Sequence, residues 1–412
     1  MATTIPRPTA GSSSIASPAA TTARTAELRA SIDSFMRFFT GMYAELEKAP
    51  DVANFAVGNP QELPLPEYVE AVGRHLQPHD KDWFAYKMSE PNAQQVVARS
   101  LTELTGLDWE PADVQMTNGG FAAIAVALRT LLEPGDEAIF MSPPWFFYEM
   151  LTLAAGGVPV RMKLDPPFCE LNLAAIEASI TPRTRMVLVN SPHNPSGRVY
   201  PLDQLERLGA ILEAAEQRHG NPIYLLSDEP YRRILFDGRR FHSPAEVYRR
   251  TVITYSYGKQ LLAPGMRIGY LTWPPTMPDR ERLREDAFVQ QCATGFAFPN
   301  ADLQHAIGDF EPLVIDLEAM QRRRDRLVTA LRDMGYEATT PEGTFYLLVR
   351  SPETDDEHFA RRLARHRVLV LPGTIVELPG WMRVSLTASD EMVERGLAGF
   401  AAAMAEVTGG AA

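Results

Sequence analysis

The chain has 412 residues, of which 45% are apolar and 22% charged, and a formal net charge of −12. This length exceeds a single ordinary hydrophobic core, so two globular domains are expected. The acidic balance argues against a nucleic-acid partner, and no uninterrupted apolar run is long enough to cross a bilayer.

The chain contains two cysteines, Cys169 and Cys292. Two isolated cysteines are too few for a disulfide framework or a cysteine metal site, so no bound metal is expected. A reducing, cytoplasmic location is the simplest interpretation of this cysteine content.

The N-terminal stretch, residues 1–30, is rich in Ala, Thr, Ser and Pro, which predicts a disordered tail. Its arginines outnumber its acids, as in organellar transit peptides, so a targeting segment and a plain flexible tail both stay open. Residues 31–46 then carry apolar side chains at helical spacing and predict one helix. A dense aromatic group follows at 83–86 and is interpreted as core.

A glycine turn lies between a predicted strand that begins at Val114 and an apolar helix over 122–132. The turn consists of Gly119, Gly120 and Phe121, and this geometry offers free backbone N–H groups and a helix N-terminus to an anion. An ordinary turn between a strand and a helix is the alternative.

Further strands alternate with helices in the middle of the chain. Strands are predicted at 137–141, 158–164, 186–190, 223–227 and 251–255, with helices at 171–180 and 202–218 among them. This alternation predicts an α/β fold with a mainly parallel sheet flanked by helices. Because ligands of such sheets bind beyond the carboxyl ends of the strands, the polar stretches 190–197, 228–231 and 256–259 are candidate site loops.

The pattern changes after residue 311. A long helix is predicted over 313–334, and its basic run, Arg322 to Arg324, is interpreted as solvated surface. Shorter strands and helices follow and indicate a smaller α+β domain. The expected organisation is a tail (1–30), an N-terminal arm that is part of the small domain (31–75), a large domain (76–310), and a linking helix with the small C-terminal domain (311–412).

Two of the candidate loops carry side chains that suit a polar aromatic ligand. Asn194 lies in the motif Asn-Pro-Ser-Gly between two X-Pro steps, and its amide can donate to an oxygen. Asp228 ends an apolar strand, and a buried carboxylate needs a partner such as a protonated pyridine nitrogen. A role in capping the next helix is the alternative for Asp228.

The stretch from Tyr255 to Gly269 presents a hydroxyl, an amine and a guanidinium within one short loop. Ser256 and Arg267 suit a phosphate, and Lys259 suits condensation with an aldehyde, although a surface loop with ordinary cations remains possible. Farther on, strand alternation aims Arg383 away from an apolar face, so it either binds a carboxylate in two-pronged fashion or faces solvent.

Taken together, these motifs resemble the class I and II aminotransferases of pyridoxal-phosphate fold type I, which are similar to aspartate aminotransferase. The resemblance covers about residues 55–397 in the family's order, and it includes Asn194-Pro195-Ser196-Gly197, Asp228-Glu229-Pro230-Tyr231, Ser256-Tyr257-Gly258-Lys259, Arg267 and Arg383.

The resemblance implies pyridoxal 5′-phosphate as cofactor, with Lys259 as the Schiff-base lysine that also moves the proton. Asp228 would pair with the pyridine nitrogen, while Asn194 and Tyr231 would bind the ring oxygen O3′; Lys259, Asp228 and Tyr231 are thus the expected catalytic residues. The expected contacts to the phosphate and the pyridine face come from Gly119, Gly120, Phe121, Trp145, Ser256 and Arg267.

The family's remaining contacts concern the substrate and a second subunit. Gly58, Asn194 and Arg383 match positions that receive the substrate α-carboxylate. Tyr86 resembles the tyrosine that reaches the neighbouring subunit's phosphate, which implies a homodimer with shared active sites. Phe121 stands where some dicarboxylate-specific relatives carry a lysine, which disfavours a donor restricted to aspartate or glutamate.

The activity that the resemblance implies is transfer of an amino group between an L-amino acid and a 2-oxo acid by a ping-pong mechanism. A carbon–sulfur β-lyase or another elimination enzyme of the same fold is the alternative, because it uses the same residues. A non-catalytic module of this fold is a third alternative, which the presence of Lys259 disfavours.

Overall fold

A computed structural model of the chain describes residues 21–409. The helices of this range are α1 (Ala23–Ser31), α2 (Asp33–Thr40), α3 (Met42–Leu46), α4 (Pro66–Arg74), α5 (Pro91–Thr105), α6 (Gly120–Leu131), α7 (Tyr148–Ala155), α8 (Leu173–Ser179), α9 (Leu202–His219), α10 (Tyr257–Gln260), α11 (Arg280–Ala293), α12 (Ala301–Phe310), α13 (Leu317–Asp333), α14 (Asp356–Arg365) and α15 (Asp390–Thr408). The strands are β1 (Ala53–Asn54), β2 (Val114–Thr117), β3 (Glu137–Ser142), β4 (Val158–Lys163), β5 (Thr184–Asn190), β6 (Tyr224–Asp228), β7 (Thr251–Ser256), β8 (Gly269–Thr272), β9 (Tyr346–Arg350), β10 (Val368–Leu369), β11 (Leu371–Pro372) and β12 (Trp381–Ser385).

The largest sheet has seven strands in the order β2-β8-β7-β6-β5-β3-β4. Neighbouring strands from β7 to β4 pair in parallel, whereas β8 is antiparallel to both β7 and β2. Six strands therefore run in one direction, and their carboxyl ends meet at one edge of the sheet. The mainly parallel sheet predicted from the alternation of strands and helices is confirmed.

The central strands are apolar on both faces because helices cover the sheet on both sides. In β6, Leu225 packs in the same core cluster as Leu205 and Leu208 of α9, on one face. Its neighbour Leu226 packs with Leu128 and other residues of α6 on the opposite face. This alternation holds the strand ends rigidly, which is what a site at those ends requires.

The smaller sheets combine the two ends of the described chain. β9, β11 and β12 form an antiparallel sheet, and β1 pairs in parallel with β10. The N-terminal segment thus pairs with a strand of the C-terminal part, while its assignment to the small domain stays a prediction. The domain boundaries at residues 30, 75 and 310 remain predictions.

Several predicted elements differ from those observed. Residues 1–20 of the predicted tail lie outside the described residues, but 23–31 form α1 rather than a disordered segment. The single helix expected over 31–46 is divided at Gly41 into α2 and α3. The sequence pattern also gave no indication of α11 or α12.

The interpretation of the basic run on α13 as solvated surface is wrong for two of its three arginines. The side chain of Arg322 is 70% exposed, but those of Arg323 and Arg324 are 7% and 2% exposed. Each buried guanidinium reaches carboxylates on other elements; Arg324, for example, binds Asp237. The aromatic group at 83–86 is likewise not core throughout, since Tyr86 is 87% exposed.

Two further features of residues 21–409 concern the apolarity of the helices and the state of the cysteines. None of the helices in this range combines the length and apolarity needed to cross a membrane. Cys169 is buried and Cys292 exposed, and both are free thiols.

Candidate active site

The candidate site lies at the edge where the parallel strands end. Asn190 of β5 is opposite Asp228 of β6, and Asp228 is opposite Thr254 of β7. Ser256 ends β7 and is opposite Gly269, the first residue of β8. Because β8 is antiparallel, its beginning lies at the same edge, so the loop that carries Arg267 is brought there too.

Lys259 lies on α10, the single helical turn that directly follows β7. Its Nζ lies 5.9 Å from the centroid of the Tyr231 ring and 5.8 Å from that of Phe345. The next residue, Gln260, is fully buried, and its amide donates to two backbone carbonyls before α13, at 3.2 and 2.7 Å. Buried hydrogen bonds therefore fix the turn that presents the Lys259 amine.

Asp228 is 6% exposed and accepts hydrogen bonds from two hydroxyl groups. Tyr148 donates to its Oδ2 at 2.5 Å, and Thr254 donates to its Oδ1 at 3.2 Å. Burial raises the pKa of this carboxyl to about 6, against the lowering effect of both hydrogen bonds. Residues 230–233 form turns rather than a helix, so the alternative role of Asp228 as a helix cap is wrong.

A chain of hydrogen bonds connects Asp228 to Arg383 in the smaller sheet. Asn190 donates to the Asp228 backbone carbonyl at 2.8 Å and accepts from the Asn194 N–H at 2.8 Å. Asn194 Oδ1 in turn accepts from Arg383 Nη1 at 3.1 Å, and Arg383 Nη2 donates to the carbonyl of Ala56 at 3.0 Å. Arg383 is only 3% exposed, so the solvent-facing alternative is wrong.

Aromatic rings surround the Arg383 guanidinium. Its central carbon lies 4.0 Å from the centroid of the Tyr346 ring, and a Cβ at Gly58 would collide with the Tyr346 hydroxyl. Tyr231 packs edge-on against Tyr346, with ring centroids 6.1 Å apart. Burial, reinforced by Tyr346, raises the pKa of the Tyr231 hydroxyl well above its ordinary value, so this hydroxyl is a neutral donor.

The turn at Gly119, the start of α6 and Arg267 together form an anion cradle at this edge of the sheet. Gly119 has φ +82°, and a Cβ there would approach Arg267 Nη2 to 2.8 Å, so this position favours glycine on both counts. Gly120 begins α6, whose N-terminal N–H groups and dipole favour an anion. A Cβ on Gly120 would lie 3.3 Å from that of Ser256, which places the Ser256 hydroxyl beside the helix start.

One cavity of about 260 Å³ gathers most of the site residues that the sequence predicted. Those that line it are Gly58, Gly120, Phe121, Trp145, Asn194, Asp228, Tyr231, Ser256, Lys259, Arg267 and Arg383. Gly119 is not in the lining but contacts Arg267 directly. Tyr86 lies outside the cavity and is exposed next to Phe298, with ring centroids 4.9 Å apart.

Sequence reasoning assigned no individual role to several residues of this site, among them Tyr148, Asn190, Thr254 and Phe39. Asn190 and Thr254 end or nearly end strands beside Asp228, so strand alignment could have indicated them. Tyr148 and Phe39 come from α7 and α2 and reach the site by tertiary packing, for which the sequence carries no local signal.

The donor set suits a phosphorylated pyridine aldehyde. The cradle combines the start of α6 at Gly120 with the Ser256 hydroxyl and the Arg267 guanidinium, which is a donor set for a phosphate. The half-buried Lys259 offers an amine in the same cavity as Asp228. At the far side, Arg383 Nε is buried without a hydrogen-bond partner among residues 21–409, as expected for a donor that awaits a carboxylate.

Comparison with known proteins agrees with this geometry. Residues 50–400 match the family model described as aminotransferase class I and II. The aspartate/prephenate aminotransferase of Thermus thermophilus is 31% identical over 361 residues, which cover 85% of this chain and 90% of that protein. The aspartate aminotransferase of Thermotoga maritima is 30% identical over 367 residues, covering 86% of this chain and 92% of that protein.

Solved structures show the same architecture. The Thermotoga maritima aspartate aminotransferase superposes with a TM-score of 0.80 at 27% identity, over 93% of this chain and 99% of that one. The chain therefore belongs to the class I and II aminotransferases and is an enzyme of that kind. The family and the type I fold expected from the sequence are both confirmed.

Proposed function

We propose that the protein uses pyridoxal 5′-phosphate to transfer an amino group between an L-amino acid and a 2-oxo acid by a ping-pong mechanism. The observation that carries this proposal is the meeting of Lys259, Asp228 and Arg383 in one cavity. An amine, a buried carboxylate and a buried guanidinium are the groups needed to hold an aldehyde, a pyridinium and a substrate carboxylate, respectively.

The residues that would hold the cofactor form three groups, which would bind its phosphate, its pyridine ring and its aldehyde carbon. Gly119, Gly120, Phe121, Ser256 and Arg267 would bind the phosphate, Trp145 would cover the pyridine face, and Lys259 would bond covalently to the aldehyde carbon. When bound, pyridoxal phosphate supplies an electron sink for the bonding electrons released at the substrate Cα.

Asp228 would maintain the positive charge on the pyridine nitrogen. Its carboxyl is ionised above about pH 6, and the hydroxyls of Tyr148 and Thr254 hold it in place. Asn194 uses its Oδ1 to accept from Arg383, so its NH2 group is left to donate to the ring oxygen, together with the neutral Tyr231 hydroxyl.

Arg383 would bind the α-carboxylate of the substrate, with its orientation fixed by Asn194 and Ala56. Binding at this point orients the substrate Cα toward the Lys259 amine, which would remove the Cα proton and return it to the cofactor side. Gly58 would present its backbone to the same carboxylate. It lines the cavity, and its lack of a side chain lets the chain pack closely against Tyr346, whose ring contacts Arg383.

Incubation with an amino donor alone tests transfer against elimination. Transfer forms one equivalent of 2-oxo acid per active site and then stops until an acceptor is added, whereas elimination releases pyruvate and ammonia continuously. Initial rates with donor and acceptor should give parallel double-reciprocal lines; intersecting lines would exclude the ping-pong mechanism.

Borohydride reduction followed by peptide mapping tests the assignment of Lys259. The phosphopyridoxyl mass should lie on Lys259, and the exposed Lys163 of β4 serves as the internal control for non-specific labelling. A label that is distributed over both lysines, or confined to another, contradicts the assignment.

The same proposal includes a homodimer whose two subunits share their active sites. It also includes a cytoplasmic location. Exposure of large apolar side chains supports the dimer, namely Leu63, Val69, Leu76, Phe84, Tyr86, Met88 and Met266. The free thiols of Cys169 and Cys292 are compatible with the reducing compartment inferred from the sequence.

A further inference from the structure

The cavity that holds Lys259 has an apolar side as well as a polar one. Phe39 of α2, Phe121 of α6, and Trp145 and Phe146 between β3 and α7 all line it. We call these four residues the aromatic wall. They come from three separate parts of the chain, so the tertiary fold rather than a local motif brings them together.

The aromatic wall is continuous and supported from behind. Phe121 packs edge-on against Trp145, with ring centroids 5.0 Å apart. Phe35 of α2 lies behind the wall and contacts both Phe39 and Phe146, at 4.3 and 4.5 Å between centroids. Each ring is therefore held by another ring, and the wall presents a rigid apolar surface to the cavity.

The cations of the cavity are all needed for other groups. Among the described residues that line it, the positively charged side chains are Lys259, Arg267 and Arg383. The proposed function uses them for the aldehyde, the phosphate and the α-carboxylate. With only this chain's described residues lining the cavity, a second carboxylate on the substrate side chain would meet the aromatic wall without a cation, which is strongly unfavourable.

We infer that the preferred amino donor is an aromatic L-amino acid whose ring packs against Phe39, Phe121 and Phe146, an inference that rests on the proposed function. Trp145 is excluded from this set because it would cover the cofactor ring. The names of the relatives reported above contain aspartate, in one case together with prephenate, so the aromatic wall predicts a donor other than the aspartate of those names.

The experiment measures kcat/KM of the reconstituted enzyme with phenylalanine, tyrosine, leucine, alanine, aspartate and glutamate in turn as the donor. The aromatic donors should exceed aspartate in kcat/KM by at least about tenfold. In parallel, calorimetry compares two unreactive acids, 3-phenylpropanoate and maleate, and the aromatic acid should bind more tightly.

Substitutions in the aromatic wall distinguish its effect on donor preference from a general loss of enzyme activity. Phe121→Lys should raise kcat/KM for aspartate and lower it for phenylalanine. Phe39→Ala should raise KM for phenylalanine while leaving alanine unchanged. Met36→Ala, on the exposed side of the same helix, is the control and should alter neither donor.

Two results decide between failure of this inference and failure of the proposed function. If aspartate reacts at least as well as phenylalanine and maleate binds at least as tightly as 3-phenylpropanoate, the inference is overturned while the aminotransferase function stands. If no donor reacts, the proposed function fails, and the relative binding of the two acids still decides whether the wall selects an aromatic group.

Discussion

Asp228 shows how burial and hydrogen bonding compete at one residue. Burial raises the pKa of its carboxyl to about 6, while Tyr148 and Thr254 act in the opposite direction. Ionising Asp228 therefore lowers the free energy of unfolding of the cofactor-free protein. The stabilisation that its protonated carboxyl gives is fully present below the ordinary pKa of 3.8 and is lost as the pH rises through about 6. A pyridinium bound beside the carboxylate would offset this cost.

Replacing Tyr148 by Phe should shift the pH dependence of cofactor binding. Affinity for pyridoxal phosphate should fall as the pH decreases through about 6, because Asp228 becomes protonated. Without the Tyr148 hydroxyl the midpoint should move upward by roughly one pH unit. Fluorescence titration of the cofactor-free protein measures this midpoint.

The matched control for this prediction is Tyr248→Phe. Tyr248 is also buried and donates to a carbonyl, that of Ile223, at the opposite end of β6 from Asp228. The Tyr248→Phe substitution should leave the pH midpoint of cofactor binding unchanged. An unchanged midpoint in Tyr148→Phe would show that the hydroxyl does not tune Asp228.

The location of the motif residues was predictable from the sequence because each ends or follows a strand, and parallel strands bring such positions to one edge. Asn194, Asp228 and Lys259 illustrate this. The contact of Tyr148 was not predictable, because this residue reaches Asp228, 80 positions along the chain, through the packing of α7 against the sheet. Local periodicity contains no information about such a contact.

At the scale of elements, α13 is the clearest case in which a prediction from amino-acid composition was wrong. Three consecutive arginines look like a solvated face, yet a helix turns by about 100° per residue and presents them in different directions. Arg324 points inward and makes two hydrogen bonds with Asp237, at 2.7 and 2.8 Å, and one with the carbonyl of Pro341. It thus ties α13 to loops that precede and follow it.

Arg324→Ala should lower the free energy of unfolding by about 2 kcal/mol, the usual cost of losing hydrogen bonds that involve a charged group. Arg322→Ala on the same helix is the control, since its single ion pair with Glu318 is exposed and 3.9 Å long and should contribute less than about 0.5 kcal/mol. Thermal denaturation of the two variants side by side measures the difference. Equal melting temperatures would mean that the Arg324 contacts do not stabilise the fold.

Gly41 explains another difference at this scale. The apolar spacing over 31–46 predicted one helix, and the spacing is real, since Phe35, Phe38 and Phe39 all pack inward. The chain nevertheless breaks between α2 and α3, where Gly41 has φ −103° and ψ −117°. A Cβ there would lie 2.8 Å from the carbonyl oxygen of Arg37, so only glycine fits the break easily.

At the scale of the whole molecule, exposed apolar side chains favour the proposed homodimer. A groove of about 740 Å³ is lined by apolar residues of α4, including Val69, by Leu76 just after that helix, and by the loop from Leu262 to Met266, shortly after Lys259. Exposed apolar side chains of this kind commonly become buried between subunits. Burial of this face in a homodimer would bring a partner subunit next to the loop that follows Lys259.

Hybrid dimers test whether Tyr86 completes the partner's site. Tyr86→Phe protein is mixed with Lys259→Ala protein under reversible dissociation. If the sites are shared, each hybrid has one site with both changes and one with neither, so the intact site should bind cofactor and turn over as in the unaltered enzyme.

The reference is a hybrid of unaltered protein with Lys259→Ala, which also contains one site with Lys259 and Tyr86 both present. Activity of the test hybrid equal to that reference indicates shared sites, because Tyr86 can complete the site only from the opposite subunit. If each subunit instead uses its own Tyr86, the one site that retains Lys259 also carries the Phe substitution, and the hybrid should show only half the activity of the Tyr86→Phe dimer.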